Sequence, residues 1–284
     1  MCCFIVRGDD EYLFGYNNNT SYLRNPYKPL SSKLIESKEQ FKKDLKLLPN
    51  KPKKLVLESL KEYYYLPIYI IDAFPKLTTM TISNSQFQIQ IFKIILGNLK
   101  FLNSLDISFN YIYQYSKYSK NSTQFPINWL NSLRELRISS NHVVYLENED
   151  SPVTEISGFL RGVTTKCLQL TPRQIPKLVS FEYEIFIRKF EHSYLLEFLK
   201  LNPQIQELRL KGLGFDIALL KSLNSISSLI FLSLNFRSYK IRRFDLEDIL
   251  SIITTTHLAI TLYHNSHIDD QLLYKFQILT KLSI

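Results

Sequence analysis

The residues of this 284-residue chain whose types could do chemistry are few and widely separated. The densest group is HNSHIDD at 264–270, with His257 upstream, and its imidazoles and carboxylates are side chains that bind transition metals. Cys167 would need a neighbouring base to act as a nucleophile, and its apolar surroundings in the sequence favour packing instead. The seven glycines form no phosphate-binding loop. We expect a chain that is not an enzyme and has no metal, no cofactor and no small-molecule substrate.

Two short motifs at the N-terminus have chemical interpretations that compete with structural ones. Arg7-Gly8-Asp9 has the letters of an integrin-binding tripeptide, but its place between two strand-like segments favours a hairpin turn. Cys2 and Cys3 are candidates for acylation, and a buried first strand is the favoured interpretation. With Cys167 they make three cysteines, too few for a disulfide framework, which favours a reducing compartment.

Composition and targeting signals indicate where the chain works. Hydrophobic residues make up 45% and charged residues 21% of the chain, which is typical of a folded protein rather than a disordered one. The apolar run that begins at Met1 is too short for a secretory signal, and no segment reaches the roughly 18 apolar residues of a membrane span. We expect a cytoplasmic protein without a membrane partner, and a nuclear location stays open.

Two strand-like segments with a polar residue at the same place read almost alike. LNSLDISFNYI begins at Leu102 and LRELRISSNHV begins at Leu133, and both have apolar residues at positions one, four, six and eleven. Position nine is Asn in both, Asn110 and Asn141. The same pattern begins at His257, where position nine is Asn265, and it begins more loosely, without Asn at position nine, at Pro52, Leu77, Leu178, Ile205, Leu229 and Leu279.

Segments with helical spacing lie between these strand-like pieces, as in YLLEFLKLNPQIQEL at 194–208. A strand, a turn, a helix and a return, with a period mostly in the twenties, resemble the leucine-rich repeat family in its irregular intracellular form. The resemblance implies an α/β solenoid over 52–284, with a parallel sheet on the concave side and helices or irregular turns on the convex side. Residues 1–51 would form an N-terminal hairpin and helix cap. Over 144–177 the segment VTTKCLQL predicts one strand that cannot be phased with its neighbours.

The recurrent asparagine has a structural explanation. Each repeat would form one coil of the solenoid, and the chain must turn sharply at the end of the strand in that coil. The turn leaves backbone N–H and C=O groups inside the protein without partners, which lowers stability. An Asn amide has two donor hydrogens and an acceptor oxygen, so stacked asparagines can satisfy the turns of neighbouring coils. We predict this role for Asn110, Asn141 and Asn265, and we expect the ladder to be broken where position nine is not Asn. The repeat register of Asn265 and Ile268 also explains HNSHIDD without a metal.

Side chains alternate along a strand, so positions five and seven of each repeat are predicted to lie on the concave face, away from the core. From the third coil onward these residues are Asp106, Ser108, Arg137, Ser139, Glu182, Glu184, Arg209, Lys211, Ser233, Asn235, Thr261 and Tyr263. The face mixes acidic and basic residues, whereas a nucleic-acid groove needs a coherent basic stripe with aromatic side chains. We therefore expect a non-catalytic interaction module or scaffold that binds a protein partner through this face, alone or within a large assembly.

The basic excess, a formal charge of +9, lies elsewhere in the sequence. Residues 33–54 carry eight lysines against three acidic residues, and a helix is predicted over 31–48. The residues that could contact phosphate are Lys42, Lys43, Lys46, Lys53, Lys54, Arg242 and Arg243. A solvated surface is the first interpretation, and RNA is the alternative partner, in a ribosome or other RNA–protein particle. A further alternative is a substrate receptor of a ubiquitin ligase, although 31–60 has no convincing F-box pattern.

Overall fold

The computed structural model describes residues 3–7, 32–48, 52–60, 66–115, 127–146, 164–168, 170–184, 193–213, 217–223, 226–236 and 257–262. The strands are β1 Cys3–Arg7, β2 Lys54–Glu58, β3 Thr79–Ser83, β4 Gln86–Gln88, β5 Ser104–Ser108, β6 Tyr111–Tyr115, β7 Glu135–Ser139, β8 His142–Leu146, β9 Thr164–Cys167, β10 Ser180–Glu184, β11 Glu207–Leu213, β12 Phe231–Phe236 and β13 His257–Leu262. The helices are α1 Ser32–Leu47, α2 Leu66–Ala73, α3 Ile89–Asn98, α4 Ser193–Leu201 and α5 Ile217–Leu223.

The chain has an α/β fold and divides into two compact units. Unit 1 contains residues 1–130 and 141–168, and unit 2 contains residues 131–140 and 169–284. Each unit has a parallel sheet built from the first strands of successive coils, and each has few helices. The expected fold class is thus confirmed at the level of an α/β protein with parallel sheet.

In unit 1 the strands β1, β2, β3 and β5 are neighbours in that order and run parallel. Leu55 lies opposite Met80, and Met80 lies opposite Leu105, so position four of one coil is aligned with position four of the next. All three side chains are buried. Because these coils begin 25 residues apart, equivalent residues return to the same place in the sheet, and the predicted register is confirmed here.

Unit 1 also contains a second sheet that the sequence did not predict, with the strand order β4-β6-β8-β9. The short strands β4, β6 and β8 are parallel and follow the turns of three successive coils. Phe87, Ile112 and Val143, at position eleven, are aligned across them and buried, so the chain leaves each turn in an extended form that reaches the core. The strand predicted within VTTKCLQL is β9, and it pairs antiparallel with β8, which explains why it could not be phased with parallel repeats.

In unit 2 the strands β7, β10, β11, β12 and β13 form a parallel sheet in that order. The last pairing places Leu258 opposite Leu232 and Ile260 opposite Leu234. Position four of the last described coil is therefore Leu258, and the predicted phase, which counted His257 as position one, is wrong by two residues. A shift of two keeps the same residues on the core face, so alternation alone does not reveal it.

A second recurring turn returns the chain to the start of each strand. In five coils the backbone N–H of position one donates to the carbonyl oxygen three residues earlier, over 3.0–3.3 Å, in the pairs Leu77–Phe74, Leu102–Leu99, Leu178–Ile175, Ile205–Asn202 and Leu229–Ile226. Pro75, Pro176 and Pro203 directly follow the acceptor residue in three of these turns, because the fixed φ of proline suits that position. These turns place position one of successive coils at equivalent points in the fold.

The helices lie between the turns and the return segments. The helix predicted over 31–48 is confirmed as α1, Ser32–Leu47. Only the first part of 194–208 is helical, because α4 ends at Leu201 and the following Asn202 precedes Pro203, a position that disfavours helical backbone. The helices α3 and α4 bury one apolar face, which includes Phe92 and Ile95 in α3 and Leu195 and Phe198 in α4.

Candidate functional site

Positions three, five and seven of the strands in unit 1 lie on the face of the sheet opposite the core. In β2, β3 and β5 the burial alternates, with positions four and six buried and the other three only partly covered. This unit 1 strand face consists of Lys54, Val56, Glu58, Thr79, Thr81, Ser83, Ser104, Asp106 and Ser108. It has five small hydroxyl side chains, and its two acidic residues against one basic residue give it a net charge of −1.

The corresponding face of unit 2 is larger and more charged. The unit 2 strand face consists of Glu135, Arg137, Ser139, Ser180, Glu182, Glu184, Glu207, Arg209, Lys211, Phe231, Ser233, Asn235, His257 and Ala259, and the backbone of Thr261 is paired opposite Asn235. Arg137, Glu182 and Arg209 lie directly opposite one another on three neighbouring strands, as the repeat register predicted. Four acidic and three basic residues give this face a net charge of −1, so it is mixed rather than basic.

Glu182 is the centre of an ion network on the unit 2 strand face. Its side chain is only 7% exposed, and its carboxylate lies 3.1 Å from Arg137 Nε on β7 and 2.5 Å from Lys211 Nζ on β11. A buried carboxylate requires such partners, because an unpaired charge away from water is costly. Glu182 and Ser139 lie on the predicted face but are themselves buried, and the side chains open to a partner are those of Arg137 and Lys211, 51% and 36% exposed.

Arg209 is also held in a fixed place on this face. Its Nη1 atom lies 3.2 Å from Oε2 of Glu207, and its guanidinium carbon lies 5.0 Å from the centre of the Phe231 ring. The same Glu207 oxygen accepts a hydrogen bond from the Ser180 hydroxyl, at 3.4 Å. Charged groups that are ordered before binding lose less conformational entropy when they meet a partner. The unit 2 strand face therefore offers prearranged charges of both signs.

The residue at position eight, directly after the first strand, has a left-handed backbone in four coils. The φ angles are 56° at Ser59, 48° at Asn84, 55° at Phe109 and 46° at Ser140. This conformation costs an L-amino acid about 1–2 kcal/mol, and small polar residues such as Asn adopt it most readily. Phe109 is the one bulky residue among these four and is 50% exposed. The turn was predicted, but its left-handed residue was not.

Position nine carries a ladder of hydrogen bonds through the turns of unit 1. The backbone N–H of Leu60 donates to Ser85 Oγ at 3.0 Å, that of Ser85 donates to Asn110 Oδ1 at 3.0 Å, and that of Asn110 donates to Asn141 Oδ1 at 3.1 Å. The side chains of Ser85, Asn110 and Asn141 are buried. Each side chain thus satisfies the turn of the coil before it. The ladder extends further than predicted, because the hydroxyl of Ser85 substitutes for an amide.

The amide groups of the two asparagines also donate hydrogen bonds across the coils. Asn110 Nδ2 donates to the carbonyl oxygen of Ile82, and Asn141 Nδ2 donates to that of Ile107, both at 2.8 Å. Asn110 Nδ2 also lies 2.8 Å from Asn141 Oδ1. The predicted role of Asn110 and Asn141 as partners of buried backbone groups is confirmed.

A third buried asparagine, Asn202, escaped the sequence analysis. Its Oδ1 accepts a hydrogen bond from the backbone N–H of Ile175 at 2.7 Å, and its Nδ2 lies 2.8 Å from the carbonyl oxygens of Arg173 and Phe198. It occupies the acceptor position of the return turn, where Phe74 and three other coils have an apolar residue. An alignment of the return turns would have shown Asn202 as the exception.

Aromatic residues surround the second sheet of unit 1. The rings of Tyr111 and His142 stack with centres 5.4 Å apart, and the Tyr113 hydroxyl lies 3.2 Å from Oε1 of Gln86. Burial lowers the pKa of His142 from its ordinary value, and burial raises the pKa of Tyr145. Burial thus favours the neutral form of the His142 ring that stacks on Tyr111.

The basic residues predicted to contact phosphate are divided between two elements. On α1, Lys42 lies 2.8 Å from Glu39 Oε1 and 4.6 Å from the centre of the Tyr69 ring, and its hydrogen bond to Glu39 raises the pKa of Lys42. Lys43 and Lys46 are exposed on the same helix. Lys53 and Lys54 lie at the start of β2, where Lys54 belongs to the unit 1 strand face.

Several residues singled out from the sequence lie outside the described ranges, namely Cys2, Gly8, Asp9, Arg242, Arg243, Tyr263, Asn265 and the rest of 264–270. Within those ranges, no three His, Cys, Asp or Glu side chains are grouped so that they could hold a metal ion. None of the helices in the described part of the chain is both long and apolar enough to cross a membrane. Cys167 lies on β9, where its backbone is opposite that of His142.

Two sequence comparisons found no relative of this chain. No model of a known protein family matches it, and no curated protein matches it.

Proposed function

We propose that this chain is a non-catalytic interaction module of the leucine-rich repeat type, which binds a protein partner through the open faces of its strands. One observation carries the proposal: equivalent side chains at positions three, five and seven are aligned from strand to strand in rows. Stacked repeats of this kind supply extended surface rather than a closed pocket. The function is thus assigned to a surface of named residues and not to the fold alone.

The charges of the unit 2 strand face favour a protein over a nucleic acid as the partner. A surface that binds a phosphate backbone neutralises it with a run of lysine and arginine. Here Lys211 and Arg137 share the buried carboxylate of Glu182, and Arg209 is paired with Glu207. Complementary charges of both signs are what a protein surface offers, and they give specificity to such contacts.

The test compares two Ser→Arg variants in unit 2. Ser233 lies on the strand face, at position five of β12, whereas Ser193 is exposed at the first residue of α4. We expect Ser233→Arg to abolish capture of the partner from native extract and Ser193→Arg to leave it unchanged, with equal thermal unfolding midpoints for both variants.

Two other results would give different answers. Capture that survives Ser233→Arg unchanged would contradict binding through the unit 2 strand face. A partner that nuclease releases would replace the protein contact with an RNA–protein particle. Mass spectrometry of the captured protein would separate a scaffold from a ubiquitin-ligase receptor, since a receptor co-purifies with a ligase core.

A further inference from the structure

Phe109 combines two properties that a purely structural residue does not need. Its backbone has a φ of 55°, which an aromatic residue adopts only at a cost in conformational energy. The residue is 50% exposed, so a large apolar side chain at this turn is open to water. Strained residues that persist at a surface are found at sites where strain or exposure serves binding.

The equivalent residues of the other coils show what the turn itself requires. Ser59, Asn84 and Ser140 occupy position eight with similar φ angles of 46–56°. Ser59 and Ser140 are buried, and the Asn84 amide donates to the Ser59 hydroxyl at 3.2 Å. A small polar side chain therefore suffices for the turn, and Asn is better suited to this backbone than Phe. The phenyl ring of Phe109 calls for another explanation.

We infer that Phe109 is the aromatic anchor with which unit 1 holds its protein partner. This inference rests on the proposed function and deepens it by naming a residue and the chemistry of the partner. Most of the binding energy of a protein interface comes from a few side chains, and aromatic rings that become buried are prominent among them. Covering this ring costs little backbone entropy, because the residues on either side of Phe109 are already bonded to neighbouring coils: Ser108 O accepts from the N–H of Asn84, and the N–H of Asn110 donates to Asn141 Oδ1.

The net negative charge of the unit 1 strand face favours a partner segment that is basic as well as apolar. Asp106 lies on β5, three residues before Phe109, and Glu58 lies at position seven of β2, two strands from β5, against one basic residue of this face, Lys54. An arginine or lysine of the partner would be attracted both to these carboxylates and to the face of the ring. The segment bound at unit 1 is therefore one that covers the ring with apolar groups and presents basic side chains around it.

The first experiment measures unfolding and capture for Phe109→Asn in the full chain. Asn tolerates the left-handed backbone, so we expect the thermal unfolding midpoint to rise or stay unchanged while capture from native extract falls at least about tenfold. The matched control is Ser59→Asn, which also introduces Asn at position eight, in another coil, and should leave capture unchanged. A fall in the midpoint by several degrees for Phe109→Asn would overturn the inference, because the ring would then be structural.

The second experiment identifies what covers the ring. A photoreactive benzoylphenylalanine at position 109 is irradiated in native extract and the cross-linked peptides are sequenced, and the control carries the same group in place of Lys93, which is exposed on α3. We expect position 109 alone to yield a protein segment that has Arg or Lys beside apolar residues. Cross-links to an acidic segment or to RNA, or equal yields at both positions, would overturn the inference.

The two proposals fail in different ways. If Ser233→Arg abolishes capture and Phe109→Asn does not, the anchor is wrong and the interaction module stands. If neither substitution changes capture, both are wrong.

Discussion

At the scale of single residues, the buried amides of unit 1 show how polar groups can lie in an apolar core. Asn110 is fully buried, yet its oxygen accepts from Ser85 and its nitrogen donates to Ile82. The N–H of Ser85 and the carbonyl oxygen of Ile82, which the turn would leave unsatisfied, thus both have partners. A hydrogen bond of this kind contributes modestly by itself, but leaving its partner buried and unpaired is expensive.

Replacing Asn110 with Ala should therefore lower the free energy of unfolding by ~1–3 kcal/mol. The loss arises because the N–H of Ser85 and the carbonyl oxygen of Ile82 lose their partners together. Asn141→Ala should have a similar effect through Asn110 and Ile107. Urea unfolding of the full chain measures both.

The control is Asn103→Ala, because Asn103 is exposed and lies in the same coil as Asn110. This substitution should change the free energy of unfolding by less than ~0.5 kcal/mol. Equal effects of Asn103→Ala and Asn110→Ala would show that the ladder adds no stability.

The residue scale also shows where sequence reasoning reaches its limit. Asn110 and Asn141 could be predicted because the same residue recurs at the same repeat position. Asn202 occurs once, at a position that is apolar in other coils, so recurrence gives no signal for it. The burial of Glu182 follows from cations on two neighbouring strands, which are brought beside it by pairing and not by proximity in sequence.

At the scale of elements, strand pairing decides what alternation leaves open. The apolar residues of HLAITL fit a strand in two phases that differ by two residues, and only the hydrogen bonds to β12 show which one is used. The strands β4, β6 and β8 were missed for a different reason. β6 and β8 are as long as β5, but beyond the apolar residue at position eleven their sequences, YIYQY and HVVYL, do not recur, and β4 has only three residues.

The ion network that joins β7, β10 and β11 gives a prediction at this scale. Glu182→Gln leaves the charges of Arg137 and Lys211 without their shared carboxylate, and we expect it to lower the free energy of unfolding by ~1–3 kcal/mol, less than for a wholly buried pair because both cations are partly hydrated. A double-mutant cycle with Lys211→Met should give a coupling energy above ~0.5 kcal/mol.

Glu207→Gln is the matched control for this network, because Glu207 also pairs with an arginine, Arg209, but is 47% exposed. Its effect should be ~1 kcal/mol or less and should shrink in high salt. Should Glu182→Gln prove no more costly than Glu207→Gln, the buried carboxylate does not tie the three strands together.

At the scale of the whole molecule, the charge of +9 and the mixed strand faces make separate contributions to binding. Part of the positive charge lies on the exposed side of α1, where Lys43 and Lys46 are open to water. Such a patch alters the rate of association with a charged partner without determining which partner binds. The arrangement of charges on the strand faces is what can distinguish one partner from another.

Reversing the charge at Lys43 and Lys46 therefore separates the two partner classes. For a protein bound through the strand faces, we expect Lys43→Glu with Lys46→Glu to leave capture unchanged between 50 and 200 mM salt, like the control Lys200→Glu on α4. If α1 holds RNA, capture should instead weaken and its salt dependence should flatten, since each lost phosphate contact lowers the slope by about one.

The sequence predicted the α/β class, the parallel pairing of the first strands and the burial of positions four and six. These features could be predicted because residues that recur at a fixed spacing occupy equivalent places in successive repeats. The division into two units could not, because it depends on how densely distant segments contact one another. The identity of the partner could not be predicted from the repeat pattern either, because the pattern constrains the buried residues and leaves the surface residues free to vary.

The hydrogen-bond ladder at position nine also determines how coils can be added to unit 1 during evolution. The bond from Ser85 to Asn110 spans 25 residues and the bond from Asn110 to Asn141 spans 31, yet both join a backbone N–H to Oδ1 at nearly the same distance. The connecting chain can therefore gain or lose residues without disturbing the turn. A duplicated coil that brings its own asparagine supplies the acceptor its predecessor needs, so gene duplication can lengthen such a protein one coil at a time while each loop diverges independently.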